Sequence, residues 1–361
     1  MIVREVPKTQ RLPAPGVALV CVDVGGTKVA ALVVSPDGRA AGKAVAPSSR
    51  AGGDALVDVI ESTVLAALEA AEMALRDVAM LGVGIPGRVD LDSGRVELAV
   101  NLNLSGFPLS ERLADRLGRP SVIENDVRAA AFGLHVRGIT TPSADLAYLA
   151  VGTGIAAGLV LDGRLYRGAR GLAGEIGHAI IAPGGEPCGC GQRGCLEAEA
   201  SGLAIGRLAA AGLRDGQETT LRELAGSSIS AGDVYRAAAQ GDPLGLAIAD
   251  HVGRRLASAV QLLMMTYDVE RVFIGGGVAQ AGAAFAKPLQ SAYETLRSVS
   301  PTARGLLRPD VIDILPADAD PGVWGAVAIA AEAWQRVRPV AGLEIDAEGG
   351  SRLLATLPDP R

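Results

Sequence analysis

The stretch 17–35, VALVCVDVGGTKVAALVVS, consists of an apolar run, a glycine pair flanked by Asp23 and Lys28, and a second apolar run. Short runs rich in β-branched residues and punctuated by glycine read as two buried strands joined by a tight turn. The PDG triplet at 36–38 turns the chain again. A second stretch, 145–168 (DLAYLAVGTGIAAGLVLDGRLYRG), follows the same order: apolar strand, glycine turn, apolar strand, DG turn, short strand. A shift of 127 residues brings Gly25 onto Gly152, Leu32 onto Leu159 and Val33 onto Val160. A weak internal repeat of this kind predicts two related α/β halves facing one another.

The sequence around these stretches fits that plan. Residues 54–79 carry helical spacing of Leu, Val and Ala, and MLGVGIPG (80–87) reads as a short strand. RVDLDSGRVELAV (88–100) reads as strand, turn and strand, so the formal G-x-G-x-x-G at Gly82–Gly87 lacks the helix that a Rossmann turn requires. SVIEND (121–126) ends a strand before a helix, and 242–266 is helical. RVFIGGGVAQAG (271–282) reads as strand, glycine turn and helix start, VIDIL (311–315) as a strand, and PGVWGAVAIAAEAW (321–334) as a helix opened by proline. The expected organisation is a tail at 1–15, a small lobe at 16–138 plus 322–337, a large lobe at 139–321, a hinge near 137–144 and a tail at 338–361.

Composition narrows the function classes. The chain has 361 residues, enough for about two domains at roughly 150 residues each. Its net charge of −6 argues against nucleic acid or an anionic membrane as partner. The N-terminal residues have no apolar core of the kind a signal peptide needs, and no apolar run reaches the about 18 residues of a membrane span. A cytoplasmic protein is expected.

No G-x-x-x-x-G-K-[ST] is present. Three glycine turns instead follow apolar strands: Asp23-Val24-Gly25-Gly26-Thr27-Lys28, Gly152-Thr153-Gly154 and Gly275-Gly276-Gly277. Each is an ordinary tight turn or a place where backbone N–H groups can approach a phosphate without a Cβ in the way. Thr27 and Lys28 would add a hydroxyl and a cation. Asp23 could hold Mg²⁺ directly or through water. Asp126, where a strand meets a helix, is a helix cap or a carboxylate at a cleft edge.

His178, Cys188, Cys190 and Cys195 bring one imidazole and three of the chain's four thiols into one short segment rich in glycine. Reduced thiols or a disulfide would account for the cysteines alone. With the histidine, the set makes a complete tetrahedral shell for structural Zn²⁺, with no position left for an activated water. Cys21, inside an apolar strand, reads as core.

DVGGTK, GIPGRVD (84–90), ENDVRAAAFG (124–133), VGTGIAAG (151–158), GLAGEIGH (171–178), CGCGQRGCLEAEASG (188–202) and IGGGV (274–278) occur in the order seen in the ROK family of repressors and sugar kinases. Over about 17–335 the chain resembles that family, and looks most similar to its bacterial glucokinases. The resemblance implies the α/β actin-like ATPase (ribonuclease H-like) fold, two lobes with a central cleft. It implies ATP held by the glycine turns with Mg²⁺, a zinc loop shaping the sugar pocket, and Asp126 as the base that takes the sugar hydroxyl proton. It also implies a sugar site formed by Gly87, Asn125, Asp126, Glu175, His178 and Glu197, and a homodimer or homotetramer.

The acceptor implied is glucose, with N-acetylhexosamine, mannose or a sugar-like C7 cyclitol as alternatives. The family's repressors carry a helix-turn-helix before the first glycine turn, for which the residues preceding 17 leave no room. Ala156 and Ala157 depart from the glycines common in the family. Arg88 and Asn101 are secondary pocket candidates, Glu199 reads as solvent-facing or structural, and His135 and His251 as surface or core.

Overall fold

The two glycine-punctuated stretches each open a five-stranded sheet. The structure, a computed structural model, describes residues 14–138, 145–224 and 228–337. The terminal tails beyond these bounds and most of the expected hinge, at 139–144, lie outside the described residues.

In chain order the first half comprises β1 (Ala18–Val24), β2 (Lys28–Val34), β3 (Ala40–Pro47), α1 (Gly53–Ala70) and β4 (Val78–Ile85). It continues with β5 (Arg88–Asp90), β6 (Arg95–Ala99), β7 (Leu104–Phe107), α2 (Leu109–Leu117), β8 (Ser121–Asn125) and α3 (Asp126–Val136). The second half comprises β9 (Leu146–Val151), β10 (Ile155–Leu161), β11 (Arg164–Tyr166), α4 (Leu196–Ala200), α5 (Gly202–Arg214), α6 (Ala231–Ala239) and α7 (Pro243–Tyr267). β12 (Arg271–Gly275), α8 (Ala283–Ser298), α9 (Pro301–Leu306), β13 (Ile312–Ile314) and α10 (Pro321–Val337) complete it.

The strand orders are β3-β2-β1-β4-β8 and β11-β10-β9-β12-β13. In each, the first three strands in chain order pair antiparallel and the last two join in parallel. The repeat is therefore a repeat of topology. It is not gapless, because the first turn encloses residues 25–28 between Val24 and Val29, whereas the second encloses only 152–154 between Val151 and Ile155. The 127-residue shift holds for β1 on β9 and falls to 126 for β2 on β10, so Val33, not Leu32, matches Leu159. A one-residue slip exchanges the faces of a strand, which is why the gapless alignment fails beyond the turn.

Two expectations change in detail. The helix expected over 54–79 stops at Ala70, where Glu72 takes a left-handed φ of 54° and Met73 N–H closes back onto Leu68 O at 3.0 Å. This is a Schellman-type stop. Strands β5, β6 and β7 form a third, antiparallel sheet, in which β7 was not anticipated.

One face of each sheet is covered by its own half: α1 and α2 on the first, and the long apolar α7 with α8 on the second. Each fully buried aliphatic side chain in these layers stabilises by about 1.5–3 kcal/mol. The other faces look toward each other across α3 and α10, and there the helices are exchanged. α3 leaves the first sheet and packs on β9 and β10, while α10 leaves the second and packs on β1 and β4. Glycines make this crossing close. A Cβ on Gly82 of β4 would meet Ala326 O at 2.0 Å, one on Gly325 would meet Ala129 O at 2.3 Å, and one on Gly158 of β10 would meet Val127 O at 2.5 Å. Among the described residues no helix is long and apolar enough to cross a membrane.

Candidate active site

Parallel strands present their carboxyl ends, and with them their loops, along one sheet edge. At the edge of the first sheet Asp23 pairs with Gly84, and Gly84 pairs with Glu124. A Cβ on Gly84 would lie 3.5 Å from Asp126 Cα. Asp23 and Asp126 therefore share one small region, each half-buried. Burial raises the Asp126 carboxyl to about 7, with the Asp23 charge as the next cause and the Val127 amide opposing. Asp23 is raised to about 6, first by burial; Lys28 and Lys43 lower it, and Asp320 raises it further. The Tyr148 hydroxyl is raised by burial and then by these same two carboxylates.

The helix cap is Asn125. Its Oδ1 accepts from Val127 N–H at 3.1 Å and Arg128 N–H at 3.0 Å, and its Nδ2 donates to Gly87 O at 3.1 Å. The amide is largely occupied in holding the turn, leaving one Nδ2 proton for a ligand. Asp126, the first helical residue, accepts from Val127 N–H at 2.9 Å and from its own backbone N–H. Gly87 is fixed by geometry: its φ is 97°, and a Cβ would sit 2.1 Å from Leu98 O.

Strand β10 gathers the remaining sugar-site candidates. Glu197 Oε2 accepts Ile155 N–H at 2.9 Å. A Cβ on Gly177 would collide with Ile155 O and one on Gly174 with Ala157 O, so the chain on either side of Glu175 and His178 lies directly on this strand. Glu175 and His178 are exposed, and Glu197 is half-buried. Ala157 is in the core and Ala156 half-buried, and neither lines the large cavity described below. Arg88 is ion-paired with Glu97, and Asn101 approaches Gly26.

His178, Cys188, Cys190 and Cys195 place one donor atom each within 4.8 Å of one another. Cys188 Sγ is 3.6 Å from His178 Nδ1, and Cys190 Sγ is 3.7 Å from Cys195 Sγ. Standard bond lengths around a tetrahedral zinc give about 3.6 Å for N···S and about 3.8 Å for S···S. The donor set and its spacing fit zinc, and all four cysteines are free thiols. Nδ1 faces the cluster, so Nε2 lies on the far side of the ring.

A cavity of about 920 Å³ opens beside the second glycine turn. It is lined by Gly152, Thr153, Gly277 and Val278, by one face of α5 including Arg207 and Arg214, and by Ser228–Gly232 at the start of α6. The helical wall escaped the sequence reading. Its small residues Gly202, Gly206 and Ala210, four apart, are common on packed helices and do not single it out.

The glycine turns act less uniformly than expected. Gly25 N–H already donates to Lys28 O at 2.8 Å and Gly152 N–H to Gly154 O at 3.0 Å. Gly26, Thr27 and Thr153 N–H have no such bond among the described residues. Thr27 and Lys28 are exposed. A Cβ on Gly154 would strike Glu197 Oε2, and one on Gly275 would strike the Tyr148 ring, so both glycines admit protein side chains. Gly276 has φ 94° and lies against Val151 O. No α-helix starts at Gly277. A 3-10 turn, Val278–Ala281, follows it and is broken at Gly282 (φ 63°) before α8 begins.

The sequence profile of the ROK family matches residues 19–333. The chain belongs to the ROK family. The glucokinase of Thermotoga maritima is 33% identical over 321 residues, which are 88% of this chain and 98% of that protein. The N-acetylmannosamine kinase of Citrobacter koseri is 32% identical over 264 residues, 72% of this chain and 83% of that protein. The crystal structure of the ROK glucokinase of Streptomyces griseus in complex with glucose and AMPPNP superposes with a TM-score of 0.74 at 30% identity, covering 87% of this chain and 99% of that one. The fold of the ROK chain described here is accordingly the actin-like ATPase fold.

Proposed function

We propose that this ROK protein is an ATP-dependent sugar kinase that phosphorylates a hexose hydroxyl, glucose to glucose 6-phosphate being the leading reaction. The observation that carries the reading is the Asp126 carboxylate: half-buried, tuned to about 7, relieved of the capping role by Asn125, and placed beside Asp23. A base with a pKa near the working pH is suited to accept a hydroxyl proton. The hydroxyl oxygen then forms its bond to the γ-phosphorus, the bond to the β,γ-bridging oxygen breaks, and ADP leaves. Such transfers need positioning and charge stabilisation more than covalent help.

In this reading the 920 Å³ cavity takes the nucleoside end of ATP, with Gly152, Thr153 and Gly277 at its mouth. Thr27, Lys28 and the free amides of the first turn face the phosphates. Asp23 would hold Mg²⁺, which neutralises phosphate charge when bound. Glu175, Glu197 and His178 Nε2 contact sugar hydroxyls. Zinc on His178, Cys188, Cys190 and Cys195 fixes the loop and the histidine ring. Residues 16–138 with 322–337 act as one lobe and 139–321 as the other, in a cytoplasmic homodimer or homotetramer that binds neither nucleic acid nor membrane.

Relatives of nearly equal identity are named glucokinase and N-acetylmannosamine kinase, which keeps an N-acetylhexosamine acceptor as the second reading. A coupled ADP-release assay over glucose, mannose, N-acetylhexosamines and C7 cyclitols separates them. ADP release fastest with glucose supports the leading reaction, and no release with any acceptor overturns the kinase reading.

A further inference from the structure

Immediately before Asn125 and Asp126 lies Glu124, whose side chain is 1% exposed. Its two oxygens are each held by a different arginine. Oε1 accepts from Arg128 Nε at 2.8 Å and from Asn125 N–H at 2.8 Å, and Oε2 accepts from Arg167 Nε at 2.7 Å. Arg128, in the first turn of α3, is itself buried, and its Nη1 donates to Gly171 O. Arg167 is the residue that leaves β11 and starts the segment 168–175, which ends at Glu175. That segment is thus fastened to one carboxylate at its beginning, through Arg167, and in its middle, through Arg128. Its far end rests on β10, where Gly174 O accepts Ala157 N–H at 2.7 Å.

We infer that Glu124 is a positioning residue: through Arg128 and Arg167 it sets the segment bearing Glu175 against the turn bearing Asp126. The inference rests on the sugar-kinase reading for its functional meaning. Two observations favour a geometric role over a purely stabilising one. Buried ion triads are often no more stabilising than well-packed apolar groups of the same volume, because desolvation offsets the attraction. This triad also joins two chain segments that each carry a candidate sugar-site carboxylate. Glu124 offers no acceptor to a ligand, since its side chain is buried and both oxygens already accept from protein groups. It acts through its neighbours.

The test uses Arg167→Met, because Arg167 is the more exposed arginine and Glu124 keeps Arg128 in its absence. Glu124→Gln would leave two arginines facing a neutral group in the interior, and failure to fold would then obscure the result. In Arg167→Met, amide hydrogen exchange is expected to rise at least about tenfold in 168–175 while that of α7 is unchanged. The KM for the sugar, with glucose as probe, is expected to rise about tenfold while the KM for ATP stays within about twofold. Arg167→Lys, which restores the charge, is expected to recover most of the sugar KM. Unchanged exchange in 168–175 would overturn the link, and equal changes in both KM values, or in neither, would overturn the positioning role. If the parent protein phosphorylates no acceptor, the kinase reading falls, while the exchange measurement still decides the link.

Discussion

The β1–β2 and β9–β10 turns occupy the same place in sheets of identical topology, and their chemistry differs. Two residues before the first glycine, β1 carries Asp23 where β9 carries Ala150. The first turn ends on Lys28 and is one residue longer. The second has no charge of its own, seats its Gly154 on Glu197, and opens onto the large cavity. A shared backbone plan therefore supports two roles: the first edge gathers charge, and the second supplies shape. Elaboration follows the same division, since the first half inserts the small β5–β7 sheet and the second inserts the Cys/His loop.

Four changes would break or sharpen that contrast. Asp126→Asn should act most strongly, lowering kcat by about 10³-fold or more in the ADP-release assay, while nucleotide affinity by calorimetry stays within about threefold. Asp23→Ala removes the other charge from the same edge and should lower kcat by about 10²-fold. Removing the metal with a zinc chelator should release one zinc per chain to an indicator dye and raise the sugar KM about tenfold with little change for ATP. On the side of shape, Gly277→Leu should raise the KM for ATP by a similar factor, about tenfold, and leave the sugar KM and the melting temperature unchanged. Gly277 has φ −61°, lines the cavity, and has open space where its Cβ would stand.

The smallest effect concerns stability. The Asp126 carboxyl is raised above its unfolded value by burial and by Asp23, so its ionisation destabilises the fold. Nothing is lost below the unfolded pKa near 4. The loss accumulates as pH rises from there to about 7, where the folded group ionises. Without nucleotide or added divalent cation, Asp126→Asn should match the parent in melting temperature at pH 4. At pH 8 it should exceed the parent by about 2 °C. A parent protein as stable as the variant at pH 8 would show that the two carboxylates do not strain the first edge.

Much of this contrast could be read from the residues. Buried strands announce themselves by unbroken apolar runs, so both sheets and their equivalence were visible in 17–35 and 145–168. The Cys/His cluster was visible because cysteine and histidine are scarce in this chain and fall together. Other features depend on tertiary contact and left no local trace. The capping role fell to Asn125 instead of Asp126 because Gly87 O, far away in sequence, orients its amide. The glycines at 154 and 275 look like phosphate cradles, yet they make room for Glu197 and Tyr148. The cavity wall on α5 resembled any amphipathic helix, and the arginines that hold Glu124 are separated from each other by 39 positions in the chain.

The exchange of α3 and α10 between the sheets has a mechanical consequence. From β4 to β10 the layers run Gly82, α10, Gly325 beside Gly133, α3, and Gly158, with backbone lying on backbone at each step. Contacts of that kind bring helix axes closer than side-chain ridges would allow, while Phe132, Trp324 and Ile329 pack around them. The crossing therefore sets how closely the two sheets can approach, because bare backbone and not side-chain bulk fixes the spacing of the layers there. A single methyl group at Gly325 would act as a wedge, forcing α10 off the backbone of α3 at Ala129.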